Sequence, residues 1–487
     1  MAKIIKNILI WLVPLFFVGL FLSYRLVEVP PALTVDEAAF GYNAVLLASD
    51  GHDENGKFLP FFVNSINGMD WRQPVTQYYT ALVFKFFGAS AFNLRFGSVV
   101  LTLISTVLTF KIVNRLLNKK WAIVASLLLL TTPIIFIQSH LALDNLMPVP
   151  FALIWLLFLY LYDKEKKLKY LFIAGVSLGV NFYSYKAMRG VVPFWIVLTT
   201  IYLCYGDMVN RKITKRLIKE VSIFILGILP FFIIIPYLKA TYPGAVFAGY
   251  RPHGIDWNDF FYTYLANLDL SFLFIKGDST VYHSTGKHGM MLLATLPLFL
   301  VGCYKSVKEG KFWRFILAVF FLTPVVFSFA GSFFRASRLL SIVPAYILLT
   351  TLGAKYVFKY NKIIFLIITV AIIANFYNFV NYYWYTYPKF VQGYFSQTKE
   401  ASYKIFSEEA KGRNLKPYIN QDLYNSDGEI AHFFEAVFFR DGAVKIKIDE
   451  ELPKDGILMT YREGVPGLKR LDVQTPNYYI QIDDENN

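Results

Sequence analysis

RKITKRLIKEVSIFILGILPFFIIIPYLK, residues 211–239, is the stretch that decides the fold. A run dense in cations, Arg211 to Lys219, gives way to Val221–Leu238, eighteen residues without one charge. At about 1.5 Å rise per residue such a helix approaches the ~30 Å hydrocarbon thickness of a bilayer. Cations held back on one side of an apolar run mark the cytoplasmic end of a membrane span. The same alternation repeats along the chain. Lys119-Lys120, Lys164 to Lys169, Lys305 to Lys311 and Lys355 to Lys362 each separate two apolar runs.

Composition agrees. Of 487 residues, 56% are hydrophobic and 17% charged, against about 25% charged in a soluble domain. That excludes a string of soluble domains, a disordered chain and a disulfide scaffold. The net charge of +14 sits in the inter-span clusters, so it is topogenic rather than a nucleic-acid surface.

The expected architecture is mainly α, a polytopic membrane protein of about eleven transmembrane helices. The spans are Ile4–Tyr24, Asn93–Leu116, Trp121–Ile137, Met147–Tyr162, Tyr170–Tyr185, Val191–Tyr205, Val221–Leu238, Met290–Tyr304, Phe312–Phe329, Leu339–Phe358 and Ile363–Trp384. The first is read as uncleaved, with the N-terminus cytoplasmic. A membrane module, 1–384, then carries long outer loops at about 25–92 and 239–288, and Gln73–Phe87 is an interfacial helix within the first. An odd number of spans leaves 385–487 outside. There helical periodicity at Lys399–Arg413 and Glu429–Phe439, with strands at Gly456–Tyr461 and Tyr478–Ile482, predicts a small extracytoplasmic α/β domain.

All six histidines (His52, His140, His253, His283, His288 and His432) fall on the outer side of this topology. Chemistry is therefore expected at the outer membrane–water boundary. Asp36-Glu37 opens a helix just after the first span, where acids also suit a helix start. Asp144 lies between two spans, where an ionisable group is costly unless it is used; it also suits a helix cap. Asp70 and Arg72 end the first outer loop. The second outer loop holds His253, Asp278, His283, Lys287 and His288, and Arg335 and Arg338 precede the Leu339 span. His283 and His288 would need a third ligand to hold a metal. No metal ligand set and no firm cofactor is assigned, and a divalent cation is left open.

At these residues the chain resembles the GT-C superfamily of polyprenyl-phosphate-sugar glycosyltransferases, in the protein O-mannosyltransferase and aminoarabinose transferase branch. The resemblance rests on Asp36-Glu37, Arg72-Gln73-Pro74, Asn93-Leu94-Arg95-Phe96, Asp144 and the Gly277-Asp278 … His283 … Lys287-His288-Gly289 loop, over residues 1–350. It implies transfer of a sugar from a lipid phosphate to an acceptor protein, lipid or glycan, with Asp36 at the catalytic centre and Asp144 a second active-site carboxylate. Where the aminoarabinose branch has an acidic residue and then Lys, this chain has Arg72-Gln73, so the donor phosphate falls to Arg72 or to the second loop.

The residues allow the same chemistry. A leaving phosphate needs cations at headgroup level, which Arg72, Lys287, His288, Arg335 and Arg338 offer. A base on the opposite face of the sugar, Asp36, would give inversion. The rival reading is a transporter or flippase, kept open by prolines at span ends (Pro133, Pro148, Pro150, Pro230, Pro236). Against it, no internal repeat is seen and the polar residues gather at one face.

Overall fold

A computed structural model describes residues 2–209, 214–247, 256–392, 395, 399–439, 442–473 and 475–483, the side chains of 2–11 and 206–209 excepted. His253 and the acidic residues 484–485 lie outside the described residues. Among those described, seven helices are long and apolar enough to cross a membrane: Ala91–Leu116, Asp144–Glu165, Met188–Tyr205, Lys215–Thr241, Lys311–Phe329, Ala336–Tyr360 and Lys362–Val391. An eighth is the pair Lys119–Thr131 and Pro133–Ser139, bent by 64°. Pro133 has no N–H to offer the preceding turn, so the helix restarts there in a new direction. Two more segments counted as spans from sequence are shorter apolar helices, Leu168–Phe182 and Leu293–Ser306, and the first such segment is the helix Ala2–Ser23. The chain is an integral, multi-pass membrane protein.

The chain divides into two compact units. The first comprises Met1–Tyr24, Gln73–Thr76 and Ser98–Thr386. Helices there meet through glycine. A Cβ on Gly302 would sit on the Leu349 carbonyl, and one on Gly353 on the Leu298 carbonyl. Gly175 and Gly227 likewise face the Phe224 and Phe172 carbonyls across a second crossing. Lipid tails are as apolar as Leu, so membrane helices associate by such close backbone packing and by buried hydrogen bonds. Trp155 and Trp195 stack at 4.6 Å; their indole N–H groups donate to Thr199 Oγ1 (3.1 Å) and Thr323 Oγ1 (2.9 Å). The outward face of Lys362–Asn381 presents Ile363, Leu366, Ile367, Val370 and Ile373, a surface suited to lipid.

The second unit joins Arg25–Arg72 and Gln77–Gly97 to Tyr387–Asn487, a grouping the sequence does not suggest. The helix Val35–Ser49 begins in a capping box: Thr34 Oγ1 accepts from Glu37 N, and Glu37 Oε2 accepts from Thr34 N. Strands β1 (Val63–Ser65) and β2 (Asp70–Arg72) form an antiparallel hairpin. The C-terminal residues build a five-stranded sheet from β3 (Lys416–Asn420), β4 (Val444–Ile446), β5 (Gly456–Thr460), β6 (Leu468–Arg470) and β7 (Tyr479–Asp483), in the order β4-β3-β5-β7-β6. β3 runs parallel to β4 and β5, and β7 antiparallel to β5 and β6. Tyr418, Ile446, Leu452 and Leu458 form a core cluster with Leu468 against it. Gly41 of the Val35–Ser49 helix lies against Phe433 and Leu94 with no room for a Cβ, so the Glu429–Phe438 helix packs tightly on it.

Candidate functional site

In the second unit the two adjacent carboxylates have opposite surroundings. Glu37, expected as a catalytic partner of Asp36, is wholly buried. Arg95 grips it with two bonds, Nε to Oε1 (2.9 Å) and Nη2 to Oε2 (3.1 Å). The same guanidinium donates to the carbonyls of Leu26, Pro30 and Ala32. Glu37 is therefore closed to substrate and does not fit the catalytic expectation; it clamps the chain entering the helix.

Asp36 is open, with 59% of its side chain exposed. Its Oδ1 accepts from Arg72 Nη1 at 3.0 Å. Arg72 is 3% exposed. It also lies 3.3 Å from Asp70 Oδ2, donates from Nε to Ser65 Oγ at 2.8 Å and rests on the Phe40 ring at 4.5 Å. Register pins this: Arg72 pairs with Val63 and Asp70 with Ser65 in the hairpin. Two carboxylates already lie on Arg72, while its buried Nη2 has no hydrogen-bond partner. Through Nη1 it holds the Asp36 carboxylate in place.

In the first unit, Asp144 starts a short 3₁₀ turn, Asp144–Leu146. It acts electrostatically on Tyr185 and Arg189, and Arg189 Nη2 donates to Gln73 Oε1 at 2.7 Å. Tyr185 was not singled out from the sequence. Its hydroxyl is buried, with Asp144, Arg338, Ser337 and Asp278 acting on it. Asp144, Asp278 and Arg338 thus converge around one phenol. A lone Tyr in Tyr183-Ser184-Tyr185-Lys186 carries no signal of this.

Asp278 itself is a staple. Its Oδ1 accepts from Thr280 N and Oγ1, and its Oδ2 from Ala336 N at 2.5 Å. That ties the second long loop to the start of the Ala336–Leu339 helix. Gly277, at φ +78°, has no room for a Cβ against Ser284 and the His288 carbonyl. His283 Nδ1 lies 2.8 Å from Gln138 Nε2. His288 is bound at both nitrogens, to Thr285 Oγ1 and to Asn378 Oδ1, each at 2.9 Å. Burial lowers its pKa, so it is neutral at pH 7. The expectation of His288 as a phosphate-binding cation is thereby corrected. Among the described residues no group of three His, Cys, Asp or Glu side chains is placed to hold a metal.

Lys287 does remain available. Exposed, it stands at a cavity of about 150 Å³ lined also by His288, Asn375 and Asn378. Arg335 is exposed and Arg338 half-buried.

A family model described as dolichyl-phosphate-mannose-protein mannosyltransferase matches residues 72–237. The structure is similar to that of ArnT from Cupriavidus metallidurans. The apo form gives a TM-score of 0.57 at 12% identity, covering 89% of this chain and 85% of that one. The form bound to undecaprenyl phosphate gives 0.58 at 9% identity, covering 97% and 98%. The fold is similar to that of ArnT. An oligosaccharyltransferase from Archaeoglobus fulgidus aligns less well, with a TM-score of 0.49 at 11% identity over 90% of this chain and 64% of that one. No curated protein matches. The matched segment opens at Arg72 and includes Gln73, Arg95, Asp144, Tyr185 and Arg189, so it takes in the polar groups around Asp144 as well as the partner of Asp36.

Proposed function

We propose that this protein is an inverting glycosyltransferase of the GT-C type. It moves a sugar from a polyprenyl-phosphate carrier to an acceptor hydroxyl at the extracytoplasmic face of the membrane. The observation that carries the proposal is the contrast at the start of the Val35–Ser49 helix. Glu37 is locked by Arg95, while Asp36 is exposed with one oxygen fixed by a buried arginine.

In the proposed step the acceptor O–H attacks the anomeric carbon, and its proton passes to Asp36 Oδ2. The bond from that carbon to the phosphate oxygen breaks, and polyprenyl phosphate leaves with the electron pair. A single displacement inverts the anomeric centre. A positioned base of this kind contributes about 10²–10⁴ in rate. Lys287, Arg335 and Arg338 are the cations proposed to meet the leaving phosphate, because two carboxylates already lie on Arg72 and His288 is neutral. Asp144 with Tyr185 and Arg189 forms a separate polar group in the first unit. The proposed topology keeps eleven spans, a cytoplasmic N-terminus, and 385–487 as an outer domain. The similarity to ArnT, solved with undecaprenyl phosphate, supports the carrier.

Mass spectrometry of lipids co-purifying with the protein tests this reading. A polyprenyl phosphate, bare or bearing a sugar, is expected. Its absence from wild-type protein, with ordinary phospholipids present, would count against it.

A further inference from the structure

The C-terminal sheet carries a second cavity that the transfer chemistry does not use. It measures about 570 Å³ and lies over the Gln421–Asp427 helix and the loops after β5 and before β7. Its size falls within the ~300–1,000 Å³ range of small-molecule sites. The floor is a closed polar network around Asp427, which is 7% exposed. Lys399 donates to its Oδ1, and Tyr478 (2.5 Å) and Tyr403 (3.3 Å) donate to its Oδ2. One cation meets one carboxylate there, so the floor is neutral and rigid.

The rim is chemically different. Tyr461 is 44% exposed, with the Arg462 guanidinium 5.8 Å from its ring centre. Asp422 and Ser426 are exposed on the helix, and Asn477 stands across from them in the lining. Among the described residues Asp422 has no ion-pair or hydrogen-bond partner. Each candidate ligand class meets a specific feature. An anion would face the uncompensated Asp422 carboxylate. A peptide held by aliphatic anchors would meet Leu423 in the lining, itself 2% exposed. A neutral sugar suits every group present. Its vicinal hydroxyls can donate to a carboxylate that has no other partner, the amide and hydroxyl match further hydroxyls, and its C–H face can lie on an aromatic ring.

We infer that this cavity is a binding site for a neutral carbohydrate, with Tyr461 as the platform and Asp422 as the hydroxyl acceptor. That the bound sugar belongs to the transfer acceptor rests on the function proposed above; that a sugar binds does not.

The experiment is saturation-transfer NMR on the full-length protein in nanodiscs, which needs no turnover. The probes are maltose, lactose and N,N′-diacetylchitobiose, with a Ser/Thr-rich peptide and inorganic phosphate as the other ligand classes. At least one neutral disaccharide should show saturation transfer. Tyr461→Ala and Asp422→Ala should each weaken it about fivefold or more, with circular dichroism unchanged since both side chains are exposed. The proposal is overturned if no disaccharide responds, if only the peptide or phosphate does, or if the signal survives the double variant. Loss of transfer activity with sugar binding intact would fault the transferase reading and leave this site standing.

Discussion

Replacing Glu37 by Gln should destabilise the protein rather than slow it, although its neighbour Asp36 is the proposed base. The magnitude follows from the surroundings. Both Glu37 and Arg95 are completely buried, and every remaining donor of the guanidinium already serves a carbonyl. Removing the negative charge leaves a buried cation without its hydrogen-bonded carboxylate, with only the more distant Glu400 acting on it, a change that typically costs about 3–5 kcal/mol. For a unit of this size each kcal/mol lowers the melting temperature by about 2–4 °C, so a fall of roughly 10 °C is expected. Asp36→Asn, by contrast, disturbs an exposed side chain whose ion pair is worth under about 1 kcal/mol. The assay is thermal unfolding of both variants in the same detergent, read beside their folded yield. Wild-type stability in Glu37→Gln, or the larger loss in Asp36→Asn, would refute the division of roles.

Further outcomes follow from other parts of the molecule. Glu54 has its pKa raised to about 7 by burial and by Glu429, with Asn43 and His432 opposing and Asp53 adding. The folded protein therefore holds this proton more tightly than the unfolded chain does, and stability falls as pH rises from about 4.5 through 7. Glu54 is half-buried, so screening leaves about 1 kcal/mol: Glu54→Gln should melt as wild type at pH 5 and a few degrees higher at pH 8. Gly302→Leu and Gly353→Leu force a side chain into a facing carbonyl and should abolish folded protein, read by size-exclusion chromatography. Lys287→Ala should weaken binding of polyprenyl phosphate about tenfold or more, the value of one charge-assisted bond. His288→Gln, which removes no charge at neutral pH, should change that affinity by less than about threefold; native mass spectrometry compares the two.

Much of the fold was legible because membrane spans announce themselves by length and by charge at their ends. The helices Ala91–Leu116, Lys215–Thr241 and Lys311–Phe329 fall where hydropathy puts them. The C-terminal helices and strands β5 and β7 were also readable from periodicity. Strand β3 was not, because its Lys416-Pro417 opening masks a strand held by pairing with β4 and β5. Nor were β4 and β6, since three residues give period two too little room. The β1–β2 hairpin escaped for the same reason, and with it the register that sets Arg72 beside Asp36. At the site, residue type located the outer-loop carboxylates and cations but not their partners. Glu37 and Asp36 are equivalent in sequence and differ only because Arg95, 58 residues on, reaches one of them. His288 looked cationic beside Lys287 until Thr285 and Asn378 were seen to occupy both nitrogens.

The central claim is that Asp36 accepts the proton of the attacking hydroxyl while a polyprenyl phosphate departs. Its most direct test is release of free polyprenyl phosphate from sugar-loaded carriers by purified protein in nanodiscs supplied with membrane extract as acceptor. Wild-type protein should release it with label entering the extract, and Asp36→Asn should do so about 10²–10⁴-fold more slowly while melting at the wild-type temperature. Comparable rates in the two proteins would contradict the account.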